Sequence, residues 1–215
     1  MTDPVRRRPY AKTYDKRRQE VLQSAWDYLA AHGDEEFNLR DISERSGVSL
    51  RTIYNAFENR EGLIAQALLT HHASLFSDVA VGPNDSRSLS EAVEMCRRVA
   101  IETIASPCVA ITTSRVYFAS QERTRVLATL RELPASIVSA WMRSDEADTG
   151  CITGFGEQDI CRQFANAQWA LVAEWVAGAL SDEELTRQQQ RTMLAVGLAF
   201  GNEAGRTVAL KLLTA

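Results

Sequence analysis

"SGVSLRTIYNAF", residues 46–57, sets a glycine turn before a serine and a short run in which Ile53 and Phe57 alternate with Leu50, Arg51, Thr52, Tyr54 and Asn55. An amphipathic helix of ordinary surface type gives its wet face to Lys and Glu. This one gives it groups that reach into something. Ser49 is placed to cap a helix, and Val48 and Ile53 bracket the cap as a hydrophobic staple. The same device stands just upstream, where Asn38 caps a helix over 39–46 between Phe37 and Ile42. Downstream, Asn59 caps a third start, with Glu61 in the first turn where the helix dipole favours an acid.

These three starts build a helix-turn-helix. With Leu39 as its first position, Ile42 packs inward and Ser43 is small where the two helices cross. Gly47 takes the turn where positive φ is easiest, and Val48 and Ile53 fill the angle between the helices. The outward groups then suit a major groove. Arg51 matches guanine, Asn55 matches adenine, and the methyls of Leu50 and Thr52 match thymine. Tyr54 and Ser49 offer hydroxyls, and Arg40 and Arg60, at the starts of neighbouring helices, are placed for phosphates.

Upstream, residues 16–32 put Val21, Leu22, Ala25, Trp26 and Leu29 on one face, and Gly33 supplies the stop. Downstream, the helix from Asn59 runs to about residue 79, and "VGPNDSRS" (81–88) breaks it. Further helices are expected at about 88–105, 108–119, 122–143, 157–180 and 182–213. Pro107 marks a boundary and Pro134 a break or kink. The glycine-containing acidic stretch 144–156 reads as a loop. The expectation is an all-α chain: a basic arm and helix-turn-helix head over 1–62, then a helical effector-binding and dimerisation body over 63–215.

Composition fits that division. The chain has 215 residues, 45% of them hydrophobic and 24% charged, with a formal net charge of −4. Residues 1–18 hold seven basic residues (Arg6, Arg7, Arg8, Lys12, Lys16, Arg17, Arg18) against two acids (Asp3, Asp15), a local +5. Residues 61–215 hold 13 basic and 18 acidic residues, a local −5. One end is suited to a polyanion and the rest is repelled by it. No stretch has the roughly 18 uninterrupted apolar residues of a membrane span, and the N-terminus lacks a secretory apolar run, so no membrane association and a cytoplasmic location are expected. Cys96, Cys108, Cys151 and Cys161 lack zinc-site spacing and read as free thiols. The adjacent His71 and His72 have no third ligand, so neither metal nor cofactor is expected. No Ser-His-Asp set, carboxylate pair or phosphate-binding glycine loop points to an enzyme.

Residues 20–69, with "RDISERSGVS" at 40–49 followed by "TIY" at 52–54, Phe57, Asn59, Glu61 and Leu63, resemble the N-terminal domain of tetracycline-repressor (TetR) family regulators. That resemblance implies a homodimeric repressor on a near-palindromic operator of double-stranded DNA, with a divergent body that binds a small effector. By the same resemblance, Arg40, Thr52, Tyr54 and Arg60 fall on typical contact positions. Ala56 stands where an aromatic or histidine is usual and Glu58 where proline is frequent, so the operator sequence does not carry over. The "RRRP" arm at 6–9 lies outside the matched block, where it either enters the minor groove or stays disordered.

In the body, Gly197, Gly201 and Gly205 recur every four residues, as though on one stripe of a helix. Three helical glycines cost roughly 3 kcal/mol relative to alanine, which implies that another backbone comes close. The preceding helix is rich in small residues (Ala165, Ala167, Ala170, Ala173, Ala177, Gly178) around Trp169 and Trp175. Two such helices from each of two subunits make a four-helix interface; packing within one chain is the competing reading. For the effector, Phe76, Met95, Tyr117, Phe118 and Trp141, with Thr112, Thr113, Arg97, Asn166 and Gln168 as polar partners, suit a hydrophobic or aromatic ligand, and equally suit a plain core. An alternative function remains at this point: a DNA-binding accessory protein whose body binds protein partners instead of a ligand.

Overall fold

The computed structural model describes residues 9–75, 82, 84–118, 124–148 and 156–214. The chain divides into two compact units, 1–71 and 72–215.

The first unit holds α1 (Pro9–His32), α2 (Leu39–Ser46), α3 (Leu50–Phe57) and most of α4 (Arg60–Leu75). Helix α1 starts at Pro9, earlier than residue 16, because a proline has no N–H to lose in a first turn. It buries Val21, Leu22, Ala25, Tyr28 and Leu29, and Gly33 closes it with φ 71°. Asn38 caps α2 as expected, its Oδ1 accepting from the Asp41 N–H at 2.9 Å. Gly47 has φ 67°, and a Cβ there would meet nothing within 4 Å, so the glycine is required by backbone conformation and not by space. Ser43 does more than stay small: its hydroxyl donates to the Val48 carbonyl at 2.7 Å across the turn.

Ser49 caps α3, accepting from the Thr52 N–H at 3.3 Å and sharing a 2.9 Å hydroxyl contact with Thr52. Ile53 and Phe57 are buried between the helices. The α3–α4 junction is unusually tight. Glu58 has φ 67° and ψ −55°, and Asn59 N–H donates to the Phe57 carbonyl at 2.8 Å, which together make a γ-turn of the strained kind. Proline's ring fixes φ near −65°, so this turn cannot hold the proline that the family resemblance leads one to expect at position 58. Asn59 then caps α4, its Oδ1 accepting from Gly62 N–H at 2.7 Å. The head ends later than residue 62, because Leu63, Ile64, Ala67 and Leu68 of α4 are buried in this unit.

The second unit holds α5 (Leu89–Ala105), α6 (Pro107–Phe118), α7 (Thr124–Met142), α8 (Glu157–Val176), α9 (Asp182–Phe200) and α10 (Glu203–Leu213). Capping boxes at Ser88/Glu91 and Ser181/Glu184 start α5 and α9. Its core gathers Leu89, Val93, Cys96, Ile137, Val138, Trp141, Ile160, Phe164, Met193 and Leu194 from α5, α7, α8 and α9. Burial raises the thiols of Cys96 and Cys161, to about 12 and about 11, and Cys161 donates to the Ala135 carbonyl at 3.6 Å. Cys108 is half-buried, and Cys151 lies outside the described residues. Among the described residues no helix is long and apolar enough to cross a membrane.

Three expectations need correction here. Helix α8 ends at Val176, not near 180, because Gly178 turns the chain with φ 76°. Helix 182–213 is two helices. Gly201 is extended (φ −78°, ψ 147°) and Asn202 caps α10, its Oδ1 accepting from Gly205 N–H at 3.1 Å. The loop before α8 holds the break open: Ala147 bridges Gly201, Asp148 N–H donates to the Phe200 carbonyl at 2.8 Å, and Asn202 N–H donates to the Glu146 carbonyl at 3.0 Å.

Gly197, Gly201 and Gly205 therefore do not form one helical stripe, and what crowds them belongs to their own chain. A Cβ on Gly197 would collide with the Leu89 side chain. One on Gly201 would overlap the Gly197 carbonyl, and one on Gly205 would overlap the Glu146 carbonyl. Trp169 is buried within the unit, and half-buried Trp175 donates its indole N–H to Asp182 at 2.8 Å.

Candidate nucleic-acid interface

Helix α3 turns its apolar side wholly inward: Ile53 is 0% and Phe57 2% exposed, against 52% for Tyr54. Arg51 and Asn55 are exposed beside Tyr54, with Leu50 and Thr52 half-buried at the rim. Five residues of eight thus remain for an outside contact, and the cap at Ser49 fixes the end from which they project. Leu39, Arg40, Leu50, Tyr54, Asn59 and Arg60 line one shallow concavity of the head, so the structure brings together four residues proposed for DNA. Asp41 and Glu61 line it too, and their charges oppose the approach of a phosphate.

The arginines divide by what they already hold. Among the described residues nothing accepts from Arg40 or Arg51. Arg60 is different. Its Nε donates to the Phe37 carbonyl at 2.7 Å, its Nη2 donates to the Asp34 carbonyl, and Nη1 lies 3.4 Å from Glu61. Its guanidinium also lies over the Phe37 ring at 5.8 Å. Arg60 ties the α1–α2 loop to the start of α4 and commits three of its five N–H groups to the chain's own oxygens, which the sequence did not lead one to expect. The helix start put a cation where expected, and the carbonyls of Phe37 and Asp34 accept from it. Arg18 and Arg45 likewise sit over Phe57 (5.2 Å) and Tyr28 (5.1 Å). The arm residues Arg6, Arg7 and Arg8 lie outside the described residues, and Pro9 is already helical.

The residues expected to line an effector pocket differ in their surroundings. Met95 and Trp141 are in the closed core, and Thr113 is buried with its hydroxyl donating to the Val109 carbonyl at 2.7 Å. Phe76 lies outside the described residues. A void of about 20 Å³ bounded by described residues lies between Cys96, Val99, Leu133, Pro134, Phe164 and Gln168, so that of the residues expected at a pocket Gln168 alone lines it. It is the size of a single water, not of an organic ligand.

Tyr117 instead sits at the meeting of α6, α7 and α8. Pro134, inside α7, has no N–H for the Leu130 carbonyl four residues back, and the Trp169 indole N–H supplies the missing donor at 3.0 Å. Tyr117 stacks on Trp169, centroids 5.2 Å apart, donates its hydroxyl to Asn166 Oδ1 at 2.6 Å and accepts from Arg131 Nε at 3.0 Å. Arg131 was not singled out from the sequence, yet a signal was there. Arg97, Arg162 and Arg187 each pair with an acid one turn away, whereas Arg131 has Leu127, Ala128, Pro134 and Ala135 at those spacings.

Residues 21–67 match the family model described as bacterial regulatory proteins, tetR family. None of the curated proteins matches the chain. The fold is similar to that of a TetR transcriptional regulator from Rhodococcus sp. RHA1, with a TM-score of 0.62 at 12% identity over 83% of this chain and 94% of that one. It is similar to a TetR-family regulator from Syntrophomonas wolfei (TM-score 0.60, 21% identity, 86% and 97% covered) and to one from Streptomyces coelicolor (0.59, 17%, 93% and 89%). At such identities the likeness is one of fold, and it extends well past the head. Residues 21–67 thus carry a TetR-type head, and the rest of the chain shares its fold with TetR-family regulators.

Proposed function

We propose that the chain acts in the cytoplasm as a homodimeric repressor that leaves a near-palindromic operator when its body binds a small, largely apolar effector. The observation that carries the DNA-binding half is α3 itself: two side chains wholly buried, and Arg51, Tyr54 and Asn55 turned outward without a partner among the described residues. Arg51 and Asn55 read bases, Leu50 and Thr52 meet thymine methyls, and Arg40, Ser49 and Tyr54 hold phosphates.

Dimerisation is assigned to α8 and α9, where Ala167, Ala170 and Leu171 and then Thr192, Ala195 and Ala199 stay half-buried or exposed in the single chain. Two copies of this low-charge surface suit a four-helix contact. Helix α4 carries the chain from the head into the body. An effector with higher affinity for one setting of α4 changes the separation of the two recognition helices from the roughly 34–36 Å that one turn of DNA demands.

Selection of bound duplexes from random sequence at moderate salt tests this reading. The expected product is an inverted repeat with half-sites about one helical turn apart. No enrichment of inverted repeats over scrambled duplexes overturns it.

A further inference from the structure

We propose that the Tyr117–Arg131–Asn166 cluster, where α6, α7 and α8 meet, receives the carboxylate of an organic acid whose body is apolar or aromatic. This names the chemical class of the effector and rests on the ligand-responsive reading above.

Hydrogen-bond direction carries the argument. Arg131 Nε can only donate, so the Tyr117 hydroxyl accepts from it and must send its own proton to Asn166. The atom of Asn166 that receives the proton is then Oδ1, which leaves the Nδ2 amide directed elsewhere. Among the described residues nothing accepts from Arg131 Nη1 or Nη2, or from Asn166 Nδ2. Among the described residues the cluster thus has several N–H groups of Arg131 and Asn166 left to donate, and only the second lone pairs of Asn166 Oδ1 and the Tyr117 oxygen left to accept. The guanidinium is half-buried and held over the Tyr117 ring at 5.5 Å, so it is oriented before any ligand arrives. A planar anion with two oxygens meets such a fork with two parallel hydrogen bonds.

The surroundings supply the other half of the ligand. Trp169 has its only donor committed to the Leu130 carbonyl, so toward Tyr117 it offers an aromatic face and nothing polar. Phe118 lies edge-on to Tyr117, centroids 5.0 Å apart, yet is 51% exposed. An exposed apolar ring and an arginine whose Nη groups have no acceptor among the described residues, both held against Tyr117, suit a molecule with an apolar body and an anionic head. A neutral amide would lose the charge-assisted pairing, and a cation would be repelled.

Calorimetric titration of the full-length protein with octanoate and 4-phenylbutyrate, each against its primary amide, tests the assignment. The acids are expected to bind at least tenfold tighter than the amides. Arg131→Gln should abolish that preference with an unchanged circular dichroism spectrum, and Arg131→Lys should keep part of it. Should Arg131→Gln fail to fold, Asn166→Asp serves instead, weakening the acids and sparing the amides. Equal affinity for acid and amide, no binding of either acid, or a preference that survives Arg131→Gln overturns the proposal. Binding is measured without DNA, so the two readings fail separately. Acids that bind without releasing the selected duplex leave the site standing and sink the regulatory role of ligand. Release by the amides as readily as by the acids does the reverse.

Discussion

The α2–α3 head and the α6–α8 part of the body solve the same problem, an unsatisfied backbone group, at opposite ranges. In the head, each helix start finds its partner three residues on: Asn38 with Asp41, Ser49 with Thr52, Asn59 with Gly62. In the body, the carbonyl that Pro134 leaves open on α7 is satisfied by Trp169, a residue 39 positions away. Local satisfaction frees α3 to keep its outward side chains idle for a ligand. Remote satisfaction commits a large aromatic to holding three helices at one point. The head thus fixes its helix starts within short segments, whereas in the body one side chain, Trp169 of α8, meets both Leu130 of α7 and Tyr117 of α6.

The largest effect separating the two regions is expected at Gly62. A Cβ there would overlap the Phe57 carbonyl, which is backbone and cannot swing aside. Gly62→Ala should cost the head about 2–3 kcal/mol, as overpacking does, and abolish duplex binding while the body's circular dichroism and oligomeric state survive. Unchanged stability would mean that the backbone at Phe57 gives way to the new Cβ, and loss of the body together with the head would mean that the two units do not unfold separately.

Next comes Trp169→Phe, which removes the donor to Leu130 and should destabilise the body by about 2 kcal/mol through an unpaired buried carbonyl. The sharper measurement is a double-mutant cycle in chemical denaturation. With Pro134→Ala the helix regains its own N–H donor, so Trp169→Phe should then cost markedly less. Additive losses would show that Trp169 acts through packing alone.

The smallest effect has the opposite sign. Glu58 sits in a strained γ-turn, and Glu58→Gly should stabilise the head by about 1 kcal/mol by relieving φ 67°. A loss of stability in thermal unfolding would mean that the Glu58 side chain contributes more than its backbone strain removes.

The same contrast explains what could be read from the chain beforehand. Helix starts in the head were legible because cap, staple and turn lie within a few residues of one another, and the sequence prints them side by side. The break between α9 and α10 was not, since Gly201 and Asn202 are tolerable inside a helix until the 145–148 loop offers them other hydrogen bonds. The glycine spacing did report a close approach, but a glycine says that something comes near and not what. Here it is Leu89 and Glu146 of the same chain. Aromatic residues at helical spacing could not be divided into core and pocket: Trp141 proved to be core, whereas Tyr117 sits in a polar cluster whose arginine went unnoticed. Arg60 shows the remaining limit, because a cation's reach is visible in sequence while the carbonyls of Asp34 and Phe37 beside it are not.

The indole that completes α7 also imposes an order on folding. Until Trp169 arrives, the Leu130 carbonyl must stay open to water, so the middle of α7 cannot settle into a dry interior on its own. In a nascent chain that residue is synthesised 39 positions later, and the helix waits half-finished for the segment that will close it. Contacts of such sequence separation slow folding, and α7 cannot be completed before α8 has been made.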